Sequence, residues 1–270
     1  MLSYRHGFHA GGPADVLKHT VLCFVLDYVL RKPNPVYVLD THAGAGVYSL
    51  RSEMAQKTGE WQRGIGRLLD LADPPELLRP YLQLVAAGSD ALVYPGSPEL
   101  ARRLLRPQDR LELAELHPTD YALLADRLGG QPRVRIARAD GLALMLSRMP
   151  PPERRAVVII DPSYELADDD AVIANALARA VRAFATGIYL LWYPVIDRAR
   201  TETFLAAVRA RIGKPSYRLE ISTAVDHGGP GMTGSGMLVV NPPWPLAEVA
   251  RRDVPVITYK LSAHGSWLVD

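Results

Sequence analysis

An α/β protein built on one seven-stranded, mostly parallel sheet is what the 270-residue sequence predicts. Three observations carry that prediction. Short β-branched apolar runs alternate with stretches of helical periodicity through the first two hundred or so positions. Two later segments, 216–225 and 236–241, alternate apolar and polar residues, as an antiparallel pair at a sheet edge does. Finally, the predicted strand ends carry acids and glycines, where open α/β sheets bind their ligands.

The bulk numbers are those of an ordinary globular chain, long enough for one large domain or one domain with an insertion. No apolar run reaches the roughly 18 residues that span a membrane. The opening Met-Leu-Ser-Tyr-Arg-His lacks the form of a signal peptide. Cys23 is the only cysteine, which excludes an internal disulfide and a cysteine-based zinc site, and no metal site is read. A cytoplasmic protein is the default expectation. Net charge is only +2, so polyanion binding is not signalled globally, although Arg102-Arg103, Arg154-Arg155 and Arg251-Arg252 form local doublets.

Residues 1–15 are aperiodic and carry Tyr4, His6, Phe8 and His9, a segment that is either a frayed terminus or a functional lid; the lid is favoured. Asp15 can cap the amphipathic helix predicted from Val16 to Arg31. Val36–Asp40 is a first strand, and Thr41-His-Ala-Gly-Ala-Gly46 is a glycine-rich turn after it. The dinucleotide fingerprint fails because Ser49 replaces its third glycine, and no P-loop is present. A strand-end acid with Gly-x-Gly fits an S-adenosylmethionine pocket better. Residues 47–93 interrupt the rhythm with two helical stretches, 61–71 and 75–87, and read as a helical insertion. The true crossover helix then starts at Ser97-Pro98.

Leu111–Glu115 is the second strand, ending in an acid that either accepts from ribose hydroxyls or is simply exposed. Thr119 can cap the helix to Leu128. Val134–Ala137 is the third strand, followed by Asp140-Gly141; Asp140 can cap the next helix or accept from an adenine amino group. Ala156–Ile160, all apolar, is the fourth. Asp161-Pro-Ser-Tyr164 at its end could bind a planar amine through the Asp161 carboxylate and the Pro162 carbonyl, with Tyr164 stacked on the ring. Gly187–Tyr193 is the fifth strand. Asn241-Pro-Pro-Trp244 is a similar motif, but it follows the last strand and is read as structural. The tail beyond it carries no clear signal.

Together these segments are ordered as in a methyltransferase-type fold. The sequence also resembles, nearly end to end, the bacterial 23S ribosomal RNA adenine N6-methyltransferases of the large-subunit methyltransferase J type. Leu2-Ser-Tyr-Arg-His-x-Phe-His-Ala-Gly-x-x-Ala-Asp-Val-Leu-Lys-His19, Asp40-Thr-His-Ala-Gly-Ala-Gly46, Tyr94-Pro-Gly-Ser-Pro98, Glu115-Leu-His-Pro118, Leu191-Trp-Tyr-Pro194 and Gly231-Met-Thr-x-Ser-Gly-Met237 carry it. The resemblance implies a Rossmann-like class I S-adenosylmethionine domain over 1–270, with a small insertion at 47–93 and a lid at 1–15. It would act as a monomer on one adenosine of 23S ribosomal RNA, protein-free or early in assembly. It assigns cofactor contacts to Lys18, His19, His42, Gly44, Ser97, Glu115, Asp140, Gly141 and Asp161, catalysis to Asp161 with Pro162 and Tyr164, and substrate contacts to Tyr4, His6 and Tyr164. The family's Asp-Pro-Pro-Tyr is here Asp161-Pro-Ser-Tyr164, which keeps both amine acceptors and loses one rigid residue. A DNA adenine N6-methyltransferase shares this chemistry, but no target-recognition domain is visible; a non-catalytic RNA-binding module is the other alternative.

Overall fold

The computed structural model describes residues 5–88, 90, 92–165, 168–223 and 231–270. Its strands, in chain order, are β1 (Tyr37–Asp40), β2 (Val47–Ser49), β3 (Val93–Pro95), β4 (Arg110–Ala114), β5 (Val134–Ala137), β6 (Ala156–Ile160), β7 (Ile188–Val195), β8 (Ser216–Ser222), β9 (Gly234–Val240) and β10 (Ser266–Val269). Eight of them form one sheet in the order β5-β4-β1-β6-β7-β9-β8-β10. The five strands from β5 to β7 run parallel. Strand β9 inserts between β7 and β8 and is antiparallel to both.

This is the expected fold with one strand more. The addition is β10, which pairs antiparallel with β8 at the edge. Ser266-Trp-Leu-Val269 is too short to show a period, and only its partner makes it a strand. Residues 47–93 also differ from a purely helical stretch. Helices form at Glu53–Thr58, Glu60–Arg63 and Arg79–Ala86, while β2 at its start pairs with β3, which begins at Val93.

Side chains on successive strand residues face opposite ways, so the sheet carries two cores. Val38, Leu111, Leu113, Val157, Ile159 and Leu190 face a layer that includes helices Pro13–Leu30, Ser97–Leu104 and Leu246–Leu261. Leu39, Val158, Ile160, Tyr189 and Leu191 face helices Gly141–Arg148, Asp169–Ala183 and Arg198–Ile212. Helix Pro13–Leu30 is buried from Asp15 to Leu26 without a break. Among the described residues, no helix is long and apolar enough to cross a membrane.

Two predicted caps are corrected. Helix Pro13–Leu30 starts two residues before Asp15, with Gly12 at its N-cap, so Asp15 lies inside its first turn. Helix Pro118–Leu128 likewise starts before Thr119, with His117 at its N-cap. Pro supplies the first helical position in both, where its missing N–H is not needed. The structural reading of Asn241 holds. Its φ is +54°, and its Nδ2 donates to the carbonyls of Ala185 (3.0 Å) and Gly187 (2.7 Å). Because β9 runs antiparallel to β7, Asn241 sits at the sheet edge opposite the carboxyl ends of the parallel strands.

Candidate active site

Parallel pairing puts the carboxyl ends of β1, β4, β5 and β6 along one edge. The register aligns Asp40 with Leu113 of β4 and Ile159 of β6, so Glu115 and Asp161 each emerge two residues beyond that level. Close backbone approach ties these loops together. A Cβ on Gly141 would lie 1.8 Å from the Thr41 carbonyl oxygen, so only glycine lets the β1 and β5 loops meet. Asp140 caps the helix behind Gly141, accepting from the Ala143 N–H at 2.9 Å, and its side chain remains at the surface.

The glycine turn is held from both sides. Gly44 takes φ +60° and its N–H donates to Glu115 Oε2 at 2.7 Å; the His117 N–H donates to Glu115 Oε1 at 2.7 Å. Burial still outweighs these bonds and raises the Glu115 pKa above the usual carboxylate value. Tyr48 Oη fills the space beside Gly44 and accepts from the Ala45 N–H at 3.1 Å. Ser97, in the first turn of its helix, donates from Oγ to Asp40 Oδ2 at 2.6 Å, and the His42 N–H donates to Asp40 Oδ1 at 3.2 Å. Burial pushes the Asp40 carboxyl up to about 6, with Ser97 and His42 opposing it. His42 contacts Thr41 Oγ1 through Nδ1 at 2.7 Å, and burial lowers its imidazole pKa.

Beside this turn lies a run of charges. Lys18 Nζ is 2.5 Å from Asp161 Oδ2 and 2.8 Å from Asp15 Oδ1. His6 Nε2 meets Asp15 Oδ2 at 2.9 Å, and the Gly11 N–H donates to the same oxygen at 2.9 Å. Asp15 and Lys18 are buried and Asp161 is partly buried. Burial opposes ionisation of Asp15, yet His6 and Lys18 more than offset it and hold the carboxyl well below its usual range.

Not every expected residue joins the edge. His42, Gly44, Ser97, Glu115, Asp140, Gly141 and Asp161 do. Lys18 reaches it, but as a partner of Asp161. His19 turns inward: its Nδ1 bonds Tyr94 Oη at 2.7 Å, and Tyr94 Oη bonds Tyr81 Oη at 2.9 Å. One helical step from Lys18 rotates a side chain by about 100°, enough to point it into the core. Burial there drops its pKa to about 3, so His19 is neutral. Tyr164 also differs from a free stacking platform. It takes φ +55°, packs its ring on Trp192 and Phe204, and donates from Oη to the Trp192 carbonyl at 2.8 Å. Pro162 is buried. His6 docks on Asp15 and lays its ring edge-on to Tyr48, centroids 5.1 Å apart. Tyr4 lies outside the described residues. Asp15, read only as a helix cap, and Tyr48 were not foreseen at this edge; the spacing of Asp15 and Lys18, three apart on one helix face, was the available signal for the first.

Comparison with known proteins shows the family to which the chain belongs. A family model described as "Ribosomal RNA large subunit methyltransferase D, RlmJ" matches residues 33–270. The chain is 42% identical over 278 residues to "Ribosomal RNA large subunit methyltransferase J" of Escherichia coli K12, covering 100% of this chain and 99% of that protein. It is 41% identical over 276 residues to the protein so named in Haemophilus influenzae Rd, covering 100% and 98%. A crystal structure of a Legionella pneumophila protein superposes with a TM-score of 0.89 at 35% identity, covering 97% of this chain and 98% of that one. The fold is the Rossmann-like class I methyltransferase fold, and the chain belongs to the RlmJ family of ribosomal RNA large subunit methyltransferases.

Proposed function

We propose that this chain transfers a methyl group to the N6 amine of one adenosine in 23S ribosomal RNA, with S-adenosylmethionine as donor. The observation that carries the reading is the placement of Asp161-Pro162 at the carboxyl end of β6, on the same edge as Glu115 and Asp140. The donor set there suits an adenosyl group. Glu115 faces the glycine turn and can accept from ribose hydroxyls, and Asp140 can accept from an adenine amine. Leu116, 48% exposed beside Glu115, offers an apolar surface to a flat base. S-adenosylmethionine supplies an activated methyl on a sulfonium.

The rest falls to the protein. An adenine amine is a weak nucleophile because its lone pair is delocalised into the ring. Asp161 and the Pro162 carbonyl accept its two N–H bonds and hold the lone pair toward the methyl, which is positioning chemistry. Asp161 can then take the proton that the methylated amine sheds. The adenine has to leave its stack to reach this edge. Stacking on Tyr164 would require its ring to leave Trp192 and Phe204; Ser163, in place of a second proline, gives that loop the freedom to move. The segment 1–15 serves as a lid and 47–93 as a compact insertion, in a monomer acting on protein-free or early-assembly RNA.

Asp161→Asn should keep S-adenosylmethionine affinity within about threefold and lose more than about a hundredfold in methyl transfer, a loss in the range general acid–base groups supply. The assay is transfer of labelled methyl to unmodified 23S RNA, with assembled subunits and duplex DNA as parallel substrates. Near-normal turnover by the variant, or transfer to DNA alone, rejects the reading.

A further inference from the structure

One carboxylate outside the expected site joins three parts of the molecule. Asp15 sits in the first turn of helix Pro13–Leu30 and is 1% exposed. Its Oδ2 binds the Gly11 N–H and His6 Nε2, both in the segment that precedes the helix. Its Oδ1 is 2.8 Å from Lys18 Nζ and 3.8 Å from His19 Nε2. Through Lys18 it reaches Asp161, which is 143 residues from Lys18 in sequence.

The position of Lys18 creates a conflict for the proposed chemistry. Lys18 is 4% exposed, and its ammonium lies 2.5 Å from Asp161 Oδ2, one of the two carboxylate oxygens through which Asp161 can receive an amine. Moving a buried ammonium away from its carboxylate is costly unless another carboxylate keeps it. Asp15 is already within ion-pair distance to do so. The same carboxylate fixes His6, whose ring abuts Tyr48, and Tyr48 in turn braces the glycine loop at the Ala45 N–H.

We propose that Asp15 is a positioning residue for methyl transfer: it retains the Lys18 ammonium when the substrate amine takes its place on Asp161, and it keeps the His6 segment seated over the site. The proposal rests on the reading that Asp161 receives the amine. Asp15 touches neither substrate nor cofactor in this account and acts only through Lys18 and His6.

Asp15→Asn keeps the volume and the acceptor for Gly11 while removing the charge. The expected result is at least a tenfold fall in kcat on 23S RNA, with S-adenosylmethionine Kd within twofold of wild type. Because Asp15 acts through Lys18, the double variant Asp15→Asn/Lys18→Gln should be no slower than the worse single variant, whereas independent roles would multiply. A kcat within twofold of wild type, or multiplicative losses, overturns the proposal. If Asp15→Asn does not fold, by circular dichroism and S-adenosylmethionine binding, Asp15→Ser carries the same expectation; failure of both to fold assigns Asp15 a structural role and also overturns it. An active Asp161→Asn would instead remove the reading on which the proposal rests, so the two failures are distinct.

Discussion

Asp40 shows how a single buried residue sets a pH dependence. It is 1% exposed, it ends β1, and burial raises its pKa to about 6. The folded state therefore binds this proton more tightly than the unfolded chain does, where the value is near 3.8. Folding is favoured below pH 4, and that contribution is lost as pH rises through about 6. A shift of roughly two units corresponds to about 3 kcal/mol at neutral pH. Asp40→Asn keeps an acceptor for the His42 N–H and a polar partner for Ser97. It should melt several degrees higher than wild type at pH 7.5, with the gain vanishing toward pH 4. Thermal melts across that range test this; a gain independent of pH would show that the charge is not its source. The position of the acid at the strand end was legible in the sequence, since β1 reads as a short apolar run. Its partner Ser97 lies 57 residues away and could be placed only at the start of the crossover helix.

Elements differ in how much of them is local. Strand β6 is apolar at all five positions, and the full burial of Ala156–Ile160 follows from that composition. Strand β10 is the opposite case. Two of its four residues are exposed, Trp267 among them, and it holds its place through β8 and through Asp270, which pairs with Arg218 and Arg209. Arg218 is 5% exposed, so losing Asp270 leaves a buried guanidinium with Glu202 as its remaining described carboxylate. Removing residues 266–270 should lower Tm by about 4–6 °C, the shift for roughly 2–3 kcal/mol in a domain of this size. The uncovered edge of β8 should also promote association. Methyl transfer per folded molecule should not change, because β10 and β5 lie at opposite ends of the sheet. Loss of activity without loss of Tm would contradict that separation.

At the scale of the whole molecule, the basic doublets seen in the sequence are largely committed to internal contacts. Arg102 and Arg103 both bind Glu99. Arg155 donates to the carbonyls of Asn34 and Val29, and Arg252 binds Asp253 and Glu76. With a net charge of +2, little is left to build a strong general field. Binding to 23S RNA should therefore weaken only moderately with salt. The slope of log K against log salt should be no steeper than about −4, equivalent to four or five phosphate contacts. A slope of −6 or beyond would show that a basic face operates despite these pairs.

What the sequence by itself determined is the succession of the main strands along the chain and the chemistry of the residues at their carboxyl ends. Strand composition, helical period and the punctuating glycines and prolines are local, and they place the Gly44 turn, Glu115, Asp140-Gly141 and Asp161 at successive strand ends. Parallel pairing then gathers those ends automatically. What only the tertiary structure decided is which side chains meet. The turn of helix Pro13–Leu30 sends Lys18 to Asp161 and His19 to Tyr94, though the two are neighbours in the chain. The left-handed backbone at Tyr164 sends its ring to Trp192 and Phe204. Asp15 becomes the meeting point of the segment that precedes the helix and, through Lys18, of Asp161. The physical reason is range. Secondary structure is written in neighbouring residues, while a buried charge takes its partner from whatever the packing of distant elements brings within a few ångströms.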